Sequence, residues 1–154
     1  MIKLWLKEND IPQLTSFAGN IDADKLAPFI FLAQTTDLKP ILGSNLYDKI
    51  NTDYIAGTLS GVYLQMYDEY LVYMLAYFAC SHYVAFAHID VSNNGATKPD
   101  QSAPTKEVNS LSARYRALAN NVLVTFTDFV RNNPVPEIVA TCEAKRTTNI
   151  INWH

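Results

Sequence analysis

Residues 61–91 read GVYLQMYDEYLVYMLAYFACSHYVAFAHIDV, a stretch without proline and, after Gly61, without glycine. Nothing in it breaks a helix, so it predicts one long helix from about Gly61 to Val91, a rod of roughly 45 Å at 1.5 Å per residue. Three apolar stripes run along it at helical spacing. The first is Tyr63, Tyr67, Tyr70, Met74 and Tyr77; the second Val72, Leu75, Ala79, His82 and Phe86; the third Leu64, Leu71, Phe78 and Ala85. A helix that is apolar on nearly every side needs neighbours on nearly every side, and some of them can come from another subunit. Tyr63, Tyr67, Tyr70 and Tyr77 are the candidate subunit-interface residues. As a base-stacking platform that tyrosine stripe lacks the interleaved Arg or Lys such surfaces use, so packing is the better reading.

The same stretch calls for a membrane test. From Tyr70 to Ile89 there is no Lys, Arg, Asp or Glu, over about the length a bilayer requires. It nevertheless holds four Tyr, two His, one Ser and one Cys, and is flanked by Asp68, Glu69 and Asp90 rather than by basic anchors. A buried central helix is expected, with no membrane partner.

Downstream, Ser92 to Pro104 is a polar loop, long enough to be functional or mobile. Val108, Leu111, Tyr115, Leu118, Val122, Thr125 and Phe129 then mark a second long amphipathic helix over about 105–132, stopped by Asn133-Pro134. Upstream the elements are shorter. Residues 1–20 read as irregular or briefly extended. A helix begins near Asn20-Ile-Asp-Ala-Asp24, with acids where the helix dipole favours them. Pro28 either kinks that helix or marks a first turn that is not fully hydrogen-bonded. The helix is expected to end before Pro40, because the residue preceding a proline is biased away from helical geometry. A short helix from Asn45 to about Asp53 carries Leu46, Tyr47 and Ile50, and Gly57 punctuates its end. The fold class is therefore all-α: a helical bundle with two long helices, shorter N-terminal helices and a C-terminal tail. Residues 1–133 form the helical domain and 134–154 the tail, with a short helical turn near Glu137–Lys145.

Composition narrows the function classes. The chain has 154 residues, enough for one domain to bury a core without disulfides or metal. It is 49% hydrophobic and only 18% charged, with nine Tyr and seven Phe, the balance of an obligate subunit. The net charge of −3 excludes a strongly basic nucleic-acid binder. The charge is uneven: residues 61–104 carry one basic and four acidic side chains, residues 105–154 six and four. The two cysteines, Cys80 and Cys142, form no CxxC pair, and the N-terminus has no apolar run of signal-peptide length.

No motif points to catalysis. His82 and His88, six apart on one helix, diverge by about 120° and share no metal without a third element. Cys80 and His82 diverge as well, and His88 with Asp90 has the same problem as an acid–base pair. Arg114 and Arg116, two apart, form no clamp. No phosphate-cradling glycine loop exists. The chain reads as a non-enzyme with no cofactor and no metal.

Two segments carry a resemblance. Asp22-Ala-Asp-Lys-Leu-Ala-Pro-Phe-Ile-Phe-Leu-Ala-Gln34 and Leu38-Lys-Pro-Ile-Leu-Gly43-Ser-Asn-Leu-Tyr47-Asp-Lys-Ile50 resemble the head-to-tail connector (adaptor) proteins of tailed bacteriophages, in the versions found in phages of gut Bacteroidetes-type bacteria. The shared features are the helix ending in Ala33-Gln34, the Leu-x-Pro-Ile-Leu-Gly joint and the Leu-Tyr pair after it. The close match covers about residues 20–55, and the order of elements extends it to about 133. The resemblance implies a structural subunit of the virion neck, assembled in the host cytoplasm. About a dozen copies form a ring beneath the portal protein, extend the DNA channel and dock the next neck or tail component. Double-stranded DNA passes through the lumen without sequence-specific binding. Loop 92–104 and tail 134–154 have no alignable counterpart. In such adaptors the C-terminal segment commonly reaches into the portal, and here Lys145, Arg146, Ile150, Ile151 and Trp153 are the candidate docking residues. The tail folding back on its own domain is an equal reading.

Three other readings stand beside this one. The chain is a small helical ligand-binding or regulatory module with a pocket beside His82 and Tyr83, or a stopper or tail-terminator ring protein. The third is a hydrolase using Cys142 or His88.

Overall fold

The computed structural model describes residues 3–15, 25–87, 90–92, 95–97 and 105–138. It is an all-α bundle built on two long antiparallel helical rods. The first combines α5 (Gly61–Met66), a π-helical turn (Tyr67–Leu71) and α6 (Val72–Ala87); the second is α7 (Thr105–Asn132). The predicted boundaries of α7 hold: Pro134 cannot donate a backbone hydrogen bond, and the helix ends two residues before it. The first rod stops at Ala87, short of the expected Val91. Asp90–Ser92 (β1) and Gly95–Thr97 (β2) instead pair as a small antiparallel hairpin, with Val91 opposite Ala96. The predicted polar loop thus begins inside a hairpin, and residues 98–104 lie outside the described ones.

Central burial of α6 follows from its composition. Leu71, Met74, Leu75, Ala76, Ala79 and Cys80 are all fully buried. Each large aliphatic side chain among them contributes on the order of 1.5–3 kcal/mol. The rod packs chiefly on α7 and next on α2 (Ala27–Ala33). No described helix is long and apolar enough to cross a membrane.

The N-terminal third differs from expectation in two places. A 3-10 turn (Glu8–Asp10) leads into α1 (Ile11–Leu14), so part of residues 1–20 is helical. Trp5, Leu6 and Ile11 enter the core, an apolar spacing too short to read as an element beforehand. Helix α2 begins at Ala27 with Pro28 in its first turn, where a missing N–H costs nothing. The expected helix start at Asn20–Asp24 lies outside the described residues. Pro40 does not end the helix. A π-helical turn (Gln34–Leu38) runs into α3 (Lys39–Leu42), and Lys39 keeps helical angles (φ −58°, ψ −45°). The wide turn frees carbonyls that Pro40 cannot satisfy, and this is how the chain absorbs a proline mid-rod. Thr35 and Thr36 back-bond to the Phe31 and Leu32 carbonyls at 2.8 Å just ahead of it.

Gly43 then turns the chain with φ 75° and ψ 155°, a region open in practice only to glycine. Helix α4 (Ser44–Ala56) follows, burying Leu46, Tyr47 and Ile50 as predicted, and Gly57 closes it in the left-handed conformation. Beyond α7, Val135 is buried and Ile138 packs on the core, so the first residues of the tail lie against the bundle.

Candidate functional site

The rods meet at a serine pair. The Ser81 hydroxyl donates to the Ser112 carbonyl at 3.1 Å, the Ser112 hydroxyl donates to the Ser81 carbonyl at 3.0 Å, and the two oxygens are 3.0 Å apart. Small side chains allow this approach, and one heptad along, Ala119 is fully buried. The contact stripe of α7 is therefore Val108, Ser112, Tyr115, Ala119 and Phe126, with Val122 and Phe129 partly buried beside it.

That stripe keeps Val108, Tyr115, Val122 and Phe129 of the expected one and takes Ser112, Ala119 and Phe126 in place of Leu111, Leu118 and Thr125. Leu111 is 41% exposed and Leu118 37%, and Thr125 faces solvent. The physical reason is the close crossing: a leucine at either small position would push the helices apart. The displaced leucines form a second apolar ridge on the outer flank of α7. Together with Tyr77, Arg114 and Tyr115 they line an open hollow of about 450 Å³. The Tyr115 hydroxyl is pushed up to about 12, mainly by burial and to a smaller extent by Cys80, with Arg114 opposing. Tyr73, one turn before Tyr77 on the same face of α6, is 37% exposed and extends the apolar strip.

The two arginines diverge, as their spacing requires. Arg114 stands in the hollow, and Arg116 turns to the other side, where its Nη2 donates to Asp37 Oδ1 at 2.6 Å. The second carboxylate oxygen of Asp37 is 2.6 Å from His82 Nε2. The Arg116 guanidinium also lies over the Phe78 ring, 5.5 Å from its centroid. Asp37 thus ties the end of the α2 rod to α6 and α7. Tyr83, beside His82, packs edge-on against Phe29 at 5.5 Å. Sequence reasoning missed Asp37, whose partners lie 45 and 79 positions away; no local pattern announces such a pair.

The four tyrosines proposed for a subunit interface are engaged mostly within their own chain. The Tyr63 hydroxyl donates to Glu137 at 2.8 Å, and its pKa is raised to about 12 by burial and then by that carboxylate. The Tyr67 hydroxyl donates to the Trp5 carbonyl, and burial foremost pushes its pKa up. Tyr70 packs on Phe126 and Phe129, with centroids 5.8 and 5.1 Å away. Tyr77 reaches the open hollow. Lys145, Arg146, Ile150, Ile151 and Trp153, together with His88 and Cys142, lie outside the described residues. A smaller cavity of about 220 Å³ lies between the Pro40–Gly43 joint and α7, with Leu46, Phe126, Val130 and Ile138 in its walls.

Gln34, at the end of α2, is the other residue whose role the sequence leaves hidden. It is fully buried, and its amide is satisfied on both sides: Oε1 accepts the Trp5 N–H at 3.0 Å, while Nε2 donates to the Lys3 carbonyl at 3.1 Å and to the Tyr47 hydroxyl at 3.0 Å. The Trp5 ring stacks on Tyr47 at 4.9 Å, and its Nε1 donates to Asn51 at 3.0 Å. Residues 3–6 are thereby strapped across α2, α4 and the α5–α6 rod. Its one sequence signal is a lone amide directly after an apolar run, Leu32-Ala33-Gln34.

Among the described residues, no three His, Cys, Asp or Glu side chains converge as a metal site would need. No curated protein and no solved structure matches the chain. One family model does, across residues 38–148, which is more than half of the sequence. The chain accordingly belongs to the family described as a family of unknown function, DUF6712.

Proposed function

We propose that this chain is a structural ring subunit of the neck of a tailed bacteriophage, stacked beneath the portal protein in the virion and carrying the next neck or tail component. The observation that carries this reading is the apolar ridge of Leu111 and Leu118 on the outer flank of α7, with Tyr77 beside it. A helix that hides small residues inside and displays leucines outside is built for a neighbour. The resemblance of residues 22–50 to phage connectors says which kind of neighbour. A rigid joint at Gly43 and an α2–α3 rod held to α6 and α7 through Asp37 suit a subunit that must repeat one geometry around a ring. DNA passes through the lumen of such a ring without being read, in keeping with the chain's low basicity.

The test is co-expression with the portal protein of the same genome, using the 154-residue chain and a version ending at Thr141, followed by electron microscopy. Stacked rings from the longer chain alone support the role and assign portal docking to the tail, where Lys145, Arg146, Ile150, Ile151 and Trp153 are the candidates. Rings from both keep the role and move docking to the bundle. Rings that never sit on portals point to a stopper or tail terminator. A monomer beside intact portals overturns the proposal.

A further inference from the structure

A second part of the surface complements the hollow. At the α4–α5 corner, Ile55 is 47% exposed and Leu64 39%. They flank the same turn, residues 57–60. Asp68 follows Leu64 by four residues and Glu69 follows Gln65 by four, so each acid lies one turn beyond an exposed position; both carboxylates face solvent. Exposed apolar side chains here are followed by exposed acids, whereas Arg114 lines the apolar hollow and Lys106 stands nearer the start of the same helix. The charge along the chain divides the same way, with an acidic excess in residues 61–104 and a basic excess in 105–154.

We infer that the hollow lined by Tyr77, Leu111, Arg114 and Leu118 receives the Ile55–Leu64 corner of a second copy of this chain, with Arg114 facing Asp68 and Glu69. This rests on the ring reading and says which faces meet. Pairing either face with itself would set Arg114 against Arg114 or the carboxylates against one another, and like charges across an interface oppose association. Pairing the two different faces satisfies both. Because the faces differ, each copy keeps one of each free after the first contact. Association then continues head to tail until rotation closes a ring.

Exposed positions make the test clean. Arg114→Glu spoils the hollow and leaves the acidic corner; Asp68→Lys with Glu69→Lys does the reverse. Assembly is read by sedimentation velocity and mass photometry, for the chain alone and on the portal, with circular dichroism to establish folding. The expected result is at least a tenfold weakening of self-association by either variant alone. A one-to-one mixture of the two should recover assembly with the two variants alternating, because the native pair of faces and the charge-reversed pair are both complementary. Leu118→Gln, neutral and on the same ridge, should weaken assembly too and stands in if the charge variants fold poorly. Rings that persist unchanged in all variants overturn these faces while leaving the ring reading intact. A wild-type chain that is monomeric both alone and on the portal overturns both. Dimers formed by each charge variant alone would show that a face pairs with itself, which also overturns the inference.

Discussion

The side-chain oxygen of Gln34 accepts the backbone N–H of Trp5 at 3.0 Å, across 29 positions of chain and with no solvent access to the Gln34 side chain. Gln34 opens the first π-helical turn, and Tyr67, which opens the second, takes the Trp5 carbonyl. Both polar groups of one backbone residue are therefore held by the first residues of the two wide turns.

Replacing Gln34 with Leu should be costly for this reason. The Trp5 N–H and the Lys3 carbonyl lose their buried partner, and the Tyr47 hydroxyl loses its acceptor role. Each buried polar group left unsatisfied costs about 1–3 kcal/mol, so a loss of roughly 2–4 kcal/mol is expected in urea unfolding. Proteolysis near residues 3–15 should accelerate in parallel. Unchanged stability and an unchanged digestion pattern would show that the strap is not held by this amide.

Gly43→Ala tests the joint. With φ at 75° and ψ at 155°, a Cβ is strained wherever it points, and a cost on the order of 1–3 kcal/mol is expected from thermal unfolding. Gly57→Ala, at the left-handed end of α4 with open space around it, should cost less, about 1 kcal/mol. Equal losses at the two glycines would contradict the difference in backbone conformation.

The exchange of Leu118 for Ala119 at the α7 crossing gives a paired prediction. Ala119→Leu overpacks the crossing and should destabilise the monomer by about 1–3 kcal/mol. Leu118→Gln, one residue earlier and outside the crossing, should shift monomer stability by no more than about 0.5 kcal/mol. If the order of the two effects were reversed in chemical denaturation, the stripe would be the leucine one after all.

Alkaline pH should destabilise the fold in a defined window. Burial raises the Cys80 thiol to about 11, and Tyr63 and Tyr115 to about 12, above their ordinary values of 9 and 10. A group whose acid form is favoured in the fold stabilises fully below its unfolded pKa and loses that contribution as pH rises to the folded one. Stability should thus fall between about pH 9 and 12. In a Cys142→Ser background at pH 8, Cys80 should react with a thiol reagent only as fast as the protein opens. Rapid modification of folded protein would refute its burial.

Much of this architecture is legible in the sequence, and the misses share causes. The two rods announce themselves by apolar period and by their boundaries, Gly61 and Asn133-Pro134. The face of α7 does not. Hydrophobicity favours Leu111 and Leu118, but at a close crossing the space available decides, and Ser112 and Ala119 win it. Pro40 reads as a stop because its missing N–H penalises a regular helix; a π-helical turn removes the conflict, and no residue pattern specifies one. The tyrosine stripe reads as partner surface, yet the rings and hydroxyls of Tyr63, Tyr67 and Tyr70 are met by Glu137, Trp5 and Phe129 from distant segments. Only Tyr77 adjoins the outer ridge, since partners so far away in sequence leave no local trace.

The strap also orders events during synthesis. Trp5 finds its partners at Gln34, Tyr47, Asn51 and Tyr67, each later in the chain than the last. Its seat is incomplete until Tyr67 has left the ribosome, so an indole and the apolar residues beside it wait undocked while more than a third of the protein is made. Contacts of this span are slow to close and exposed to wrong partners meanwhile. A nascent chain stalled before Tyr67 should therefore be a better chaperone client than one stalled after it.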